Sequence, residues 1–334
     1  MAEWLFEQGI GETRAALVDD DDTILEARIE RDSELVRAGA VVRARLTRQL
    51  IPGRRAIITL DGGEEALLEP IPAGVTEGAT LTVEILRGRI PEPGRAKLAK
   101  ARGMPDETPL VAGPNLQKRI AATGIPVRTL SINGLDLLEA AGWSELLEEA
   151  ESGEAAFPGG NLRLSLTPAM ALIDVDGTLP PEQLAIAGAA AAGRMIRRFG
   201  LGGSIGIDLP TVAGKAERIA AAAALDGTLP QPFERTAVNG FGFLQIIRRR
   251  TQAAIPELLQ GDRALAAALA LLRRAERATG HGARTVTAAP QVIARIESQS
   301  AWIAALERRL GAQLVLRADA TLAISAGHVS SEHP

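Results

Sequence analysis

The fold turns on two stretches, Ala171-Leu-Ile-Asp-Val-Asp-Gly177 and Ser204-Ile-Gly-Ile-Asp-Leu-Pro210, each an apolar run that meets acid near its end. Between them an alanine-rich segment, from about Pro181 to Phe199, is stopped by Gly200, Gly202 and Gly203 and reads as a helix. The expected order is strand, helix, strand. Such a crossover sets its two strands parallel, so their carboxyl ends share one sheet edge, where Asp174 and Asp208 are expected to lie. Neighbouring parallel strands run about 4.8 Å apart, so these carboxylates could share one hard divalent cation if the strands are neighbours. Asp176, two residues past Asp174, would share its face and serve the cation or its water. Capping or turn carboxylates at strand ends are the competing reading.

Upstream, Arg14 to Val18 and Ile24 to Ile29 read as two strands joined by the acidic tip Asp19-Asp20-Asp21-Asp22. From Gly39 to about Arg87, short alternating segments are separated by Gly- and Pro-containing turns such as Asp61-Gly62-Gly63, the spacing of a small closed barrel of the OB type. The following basic, proline-rich run RGRIPEPGRAKLAKARGMPDETP reads as an extended linker. Helical periodicity resumes between Leu130 and Glu151, and after Phe157-Pro158-Gly159-Gly160 the segment NLRLSLT reads as a strand. In the last third, a helix is expected around Arg263 to Thr279, a strand at RTVTAAP, a helix from Gln291 to Leu310 and a strand near Gln313 to Arg317. Trp302 has helical spacing to Leu306 and Leu310 and belongs to a core.

The expected fold class is therefore a multidomain α/β chain: an OB-type barrel inserted near the N-terminus, an α/β catalytic core with a parallel strand-helix-strand unit, and a small C-terminal α/β domain. The divisions fall at residues 1–34 (strands packing on the core), 35–90 (barrel), 91–129 (linker), 130–258 (core) and 259–334 (small domain).

Composition excludes several chemistries. With 334 residues and 46% hydrophobic content the chain can bury real cores, and a net charge of −4 gives no global field for a polyanion, so any nucleic-acid contact must be local. Cysteine is absent, which removes disulfides, thiolate zinc and cysteine nucleophiles. His281 stands apart from His328 and His333, so a histidine-built zinc centre is not expected; an all-oxygen Mg2+ or Mn2+ site is. The N-terminus lacks the basic and apolar regions of a signal peptide, and no run reaches the length of a membrane span, so a cytoplasmic protein without membrane partners is expected.

In order along most of the chain, several segments resemble the ribonuclease E and G family. ETRAALVDDDDTILEARIER resembles its N-terminal strands, and residues 39–87 its embedded OB-type RNA-binding domain. GWSELLEEAESGEAAFPGGNLRLSLTPAMALIDVDG and GLGGSIGIDLP resemble the two catalytic strands with their approach, and VNGFGFLQIIRRR the segment that follows. ALAAALALLRRAERATGHGARTVTAAPQVIARIE, with WIAALERRLGAQLVLRADATLAIS, resembles its small C-terminal domain. The resemblance implies metal-binding aspartates at Asp174 and Asp208, with Asp176 standing where the family has asparagine. It implies a metal-dependent endoribonuclease acting on single-stranded RNA in RNA processing or decay, with Asp174, Asp208 and Asp176 catalytic. Arg248 and Arg250 match basic positions that could hold the RNA backbone, with Arg235 and Lys215 flanking the same cleft.

Three departures bear on that function. Residues 103–142 are shorter than the family's stretch between barrel and core, so the 5′-monophosphate sensor within 91–129 is expected to be absent or rudimentary. The zinc-linking cysteine pair is missing, so a homodimer would rest on ordinary packing. No Phe, Tyr or Trp occurs between Phe6 and Trp143, and Ile57 and Leu67 stand where the family's barrel has phenylalanines, so weak single-strand affinity is expected there. Phe241 and Phe243 alternate with glycine; core is the favoured reading of both, with at most one facing the groove.

Two other functions compete. ALIDVDGTL resembles the first motif of haloacid-dehalogenase-type phosphatases, with Asp174 as nucleophile and Asp176 as acid/base. That family needs a later lysine and an acidic pair, whereas Lys215 is the only lysine after Lys118 and no acidic pair follows a later buried strand. The other competitor is an RNA-binding or scaffold relative that has lost catalysis.

Overall fold

At the N-terminus, Glu3–Gln8 (β1), Glu12–Val18 (β2) and Ile24–Arg31 (β3) form an antiparallel meander. The structure, a computed structural model, describes residues 2–32, 36–92, 94, 96–132 and 134–333. Asp19 accepts hydrogen bonds from the backbone of Asp21 and Thr23, which makes the acidic run a hairpin tip. β1 does not stand out in the sequence because it is buried on both faces: Leu5 enters the main core while Trp4 and Phe6 pack with Leu17 and Leu116. Val127–Thr129 (β9) adds to β1 in parallel.

Val41–Ile51 (β4), Arg55–Leu60 (β5), Glu65–Leu68 (β6), Thr80–Arg87 (β7) and Ala99–Met104 (β8) close a five-stranded barrel in the order β4-β5-β6-β8-β7. β6 and β8 run parallel and the remaining pairs antiparallel. Leu46, Ile58, Leu68, Val83 and Ile85 fill the interior. The fifth strand corrects the linker reading of residues 91–129. Its inward positions are Ala99 and Ala101, too small to stand out among Lys100, Arg102 and Gly103. Pro93 and Arg95 of that basic run, and the expected division between residues 34 and 35, lie outside the described residues.

The core sheet is built from Glu154–Phe157 (β10), Gly160–Leu166 (β11), Ala171–Gly177 (β12), Gly203–Asp208 (β13), Glu234–Arg235 (β14) and Phe243–Arg248 (β15), ordered β10-β11-β12-β13-β15-β14. β12 and β13 are parallel and every other pair is antiparallel. The helix Pro181–Phe199 joins them and ends on Gly200 in the left-handed conformation, as its glycine stop implies. This helix presses on β12 because Gly188 has no side chain. A Cβ there would stand 2.4 Å from Val175 Cγ1. Gly188→Ala is expected to cost up to about 2 kcal/mol in urea unfolding, the overpacking penalty of about 1–3 kcal/mol less the helix-propensity gain of about 1 kcal/mol; a more stable variant would contradict this close approach.

The C-terminal part packs helices Arg263–Arg277, Pro290–Glu297 and Ser300–Leu310 on a sheet of His281–Ala288 (β16), Leu314–Ala318 (β17) and His328–His333 (β18), ordered β17-β16-β18. The single helix expected over 291–310 is two, broken at Gln299 (φ −124°, ψ 72°). Trp302 packs against the core of this part. Among the described residues, no helix is long and apolar enough to cross a membrane.

Candidate functional site

The core sheet is covered on one side only. Leu162, Leu164, Ile173, Val175, Ile205, Ile207, Leu244 and Ile246 are buried beneath the helices. The alternate positions, Asn161, Arg163, Ser165, Leu172, Asp174, Asp176, Ser204, Asp208, Phe243, Gln245 and Ile247, form an open, largely polar face. The period-2 alternation of each strand produces this division.

On that face Asp174 and Asp208 are register partners on the parallel strands β12 and β13. Partnered residues on neighbouring strands project to the same side about 4.8 Å apart, so both carboxylates can reach one cation at the about 2.1 Å of a magnesium–oxygen bond. Asp208 ends its strand. Asp174 does not, since β12 continues for three residues beyond the last β13 pair and carries Asp176 past the end of β13. All three aspartates are exposed. Among the described residues, none of them has an ion pair or a side-chain hydrogen bond.

Among the described residues no group of three or more His, Asp or Glu converges as a ready-made cage. The donor set fits a hard cation held by two carboxylates and otherwise by water and substrate, the habit of Mg2+. Like charges directly opposite across a ladder repel, and a shared cation would remove that cost.

Sequence reasoning passed over the neighbours of the pair. Arg163 stands directly across from Asp174, and Asn161 across from Asp176, both on β11. Arg163 is exposed and 3.5 Å from Glu154. The signal was present in Asn161-Leu-Arg-Leu-Ser165, whose polar residues alternate onto one face. Phe243 is the register partner of Asp208. Its ring lies over Gly206, where a Cβ would meet Phe243 Cζ at 2.6 Å and Leu172 Cδ2 at 2.9 Å. Phe241 is 82% exposed. Phe241 is thus at the surface, against the core reading of it, while Phe243 is half-buried.

The basic residues separate. Lys215 is exposed at the start of the helix Lys215–Thr228, seven residues past Asp208 and at the carboxyl edge of β13. Arg248 pairs with Gly203 at the opposite end of β13, five positions and about 16 Å from the level of Asp208. It is on the covered side, where Nη1 donates to Leu201 O at 3.1 Å, and burial holds its pKa below the usual arginine value. Arg250 is ion-paired with Glu257. Arg235 forms a two-pronged ion pair with Asp226, Nε donating at 2.7 Å, which pulls the Asp226 carboxyl below its ordinary pKa. The structure thus brings Lys215 to the carboxylate end and leaves Arg235, Arg248 and Arg250 facing elsewhere. For Arg248 and Arg250 the reason is strand direction: β15 runs antiparallel to β13, which carries its basic C-terminus away from Asp208; Arg235 sits on β14 opposite Ile246, a covered position.

Two broad clefts lie apart from the carboxylates. One of about 1070 Å³ runs between the helices Trp143–Ser152 and Arg263–Arg277, and one of about 830 Å³ between the barrel and the segment Arg249–Leu265. The carboxylates stand on an exposed sheet face. Compared with known proteins, this chain matches no family model and none of the curated proteins.

Proposed function

We propose that this chain is a metal-dependent endoribonuclease that hydrolyses single-stranded RNA and leaves a 5′-phosphate on the downstream fragment, as its resemblance to the ribonuclease E and G family implies. The observation that carries this reading is the register-matched pair Asp174 and Asp208 on an open sheet face, both carboxylates unengaged. The closed five-stranded barrel supports it as an oligonucleotide-binding module of the OB type.

In this reading Asp174 and Asp208 hold Mg2+ or Mn2+. When bound, the cation supplies charge neutralisation at the phosphate and a more acidic water. Asp176 orients that water and accepts its proton, aided by its position beyond the end of β13. Arg163, across from Asp174, and Lys215, exposed at the start of the helix that follows β13, steady the backbone. Arg248 and Arg250 can touch only a distant part of the RNA.

The phosphatase reading has less support. Asp174 and Asp176 both lie inside a continuing strand, across from Arg163 and Asn161, and the only later lysine, Lys215, stands on another element. The deciding experiment is cleavage of a 5′-labelled, A/U-rich single-stranded RNA by wild type and Asp208→Asn with magnesium, manganese or chelator. Internal cuts that need metal and vanish in the variant support the nuclease. Intact RNA in every arm, from a folded protein, moves the reading to a binding or scaffold role, and phosphate release from small esters would move it to the phosphatase.

A further inference from the structure

The barrel offers no aromatic ring to a nucleobase: Ile57 is buried and Leu67 half-buried on β5 and β6, so stacking must come from elsewhere if the chain grips single-stranded RNA. Two phenylalanines lie close to Asp208 along the backbone. Phe243 is opposite Asp208, and Gly206 on the same face leaves the space its ring occupies, between β15 and Leu172 of β12. Phe241 projects from the turn that leads into β15. Asn239 fixes that turn, its Oδ1 accepting from the backbone of Phe241 at 2.9 Å and Phe243 at 3.0 Å. The turn is also pinned to the loop after Asp208: Leu209 N–H donates to Gly242 O at 3.2 Å and Thr211 Oγ1 to Phe241 O at 3.1 Å. Leaving the Phe241 side chain in water forgoes the gain of burying it, and the backbone that carries it and the half-buried Phe243 is pinned beside Asp208.

We infer that Phe243 and Phe241 form a stacking platform for the nucleobase adjoining the scissile phosphate, so that the catalytic sheet supplies the base grip the barrel lacks. This rests on the RNA reading of the carboxylate site. A flat unsaturated base matches a phenyl face, and its flanking phosphates match the charges of Lys215 and Arg163. Stacking of this kind is tolerant of base identity and changes affinity by about 5- to 150-fold per base. The platform would therefore hold the strand without imposing a sequence.

The test uses the full chain and a 3′-fluorescein-labelled, A/U-rich RNA ten nucleotides long. Affinity is read by anisotropy with calcium in place of magnesium, and cleavage is read as kcat and KM with magnesium. Phe243→Leu is expected to weaken binding and raise KM about tenfold with kcat little changed, and Phe243→Trp to restore both. Gly206→Ala, which leaves the ring but fills its seat, is expected to behave like Phe243→Leu. An abasic nucleotide next to the cut should weaken wild-type binding about as much, and cost nothing further in Phe243→Leu. Wild-type affinity in both Phe243→Leu and Gly206→Ala, or no sensitive abasic position, would overturn the platform. RNA that binds and depends on Phe243 but is never cut would retain the platform and remove the nuclease. A dimer abolished by Phe243→Leu, with no RNA bound, would reassign the face to self-association.

Discussion

Asp174→Asn is expected to lower metal-dependent RNA cleavage by about three orders of magnitude or more, from the several kcal/mol a well-placed cation contributes at about 1.36 kcal/mol per tenfold. Asp208→Asn should do the same, and the double variant little worse than either alone, because the two carboxylates act as one unit on one ion. Stability should move the other way. Magnesium should raise the melting temperature of wild type, and each single variant should show little of that rise while melting no lower than metal-free wild type, since one of two facing charges is gone. Additive losses, or a melting temperature in magnesium that ignores both substitutions, would break the link between the pair and the cation.

Glu7→Gln is expected to destabilise the fold by about 3–5 kcal/mol, the cost of stripping a buried ion cluster of one partner. Glu7 is 1% exposed and pairs with Arg14, whose Nε donates at 2.8 Å, and with Arg277. Arg14 is 2% exposed, reaches Asp136 at 3.3 Å and stacks over Trp143 at 5.3 Å. Arg277 Nε lies 3.0 Å from the same Asp136. The cluster fastens β1 and β2 to the helix Arg263–Arg277, with Arg273 adding a pair to Glu12. Removing Glu7 leaves two guanidinium groups on the single carboxylate of Asp136. Urea unfolding gives the number, and a loss below about 1 kcal/mol would mean that water or side-chain movement compensates the cluster.

The parts of this architecture legible in the sequence are those whose periodicity is carried by large side chains or by punctuation. The helix Pro181–Phe199 ends where Gly200 says it should, and the apolar runs around Ile173 and Ile207 are parallel strands whose acids align. β8 was hidden because alanines do its inward work. The break at Gln299 was hidden because the apolar residues continue at helical spacing across it. Arg248, Arg249 and Arg250 were visible as a basic run, but only strand direction tells which end of the sheet they occupy, and direction is a tertiary fact. Arg163, Asn161 and Phe243 depended likewise on cross-strand register, which no single strand reveals about itself.

The ladder that aligns Asp174 with Asp208 also constrains how this chain can vary by descent. A residue gained or lost within Gly203–Asp208 would rotate Asp208 onto the helix-covered side and bury a lone carboxylate. Lineages carrying this chain can therefore drift by substitution along the covered face of β13 and by length in the connections that follow Leu209. Inside the strand, heritable changes of length should be missing.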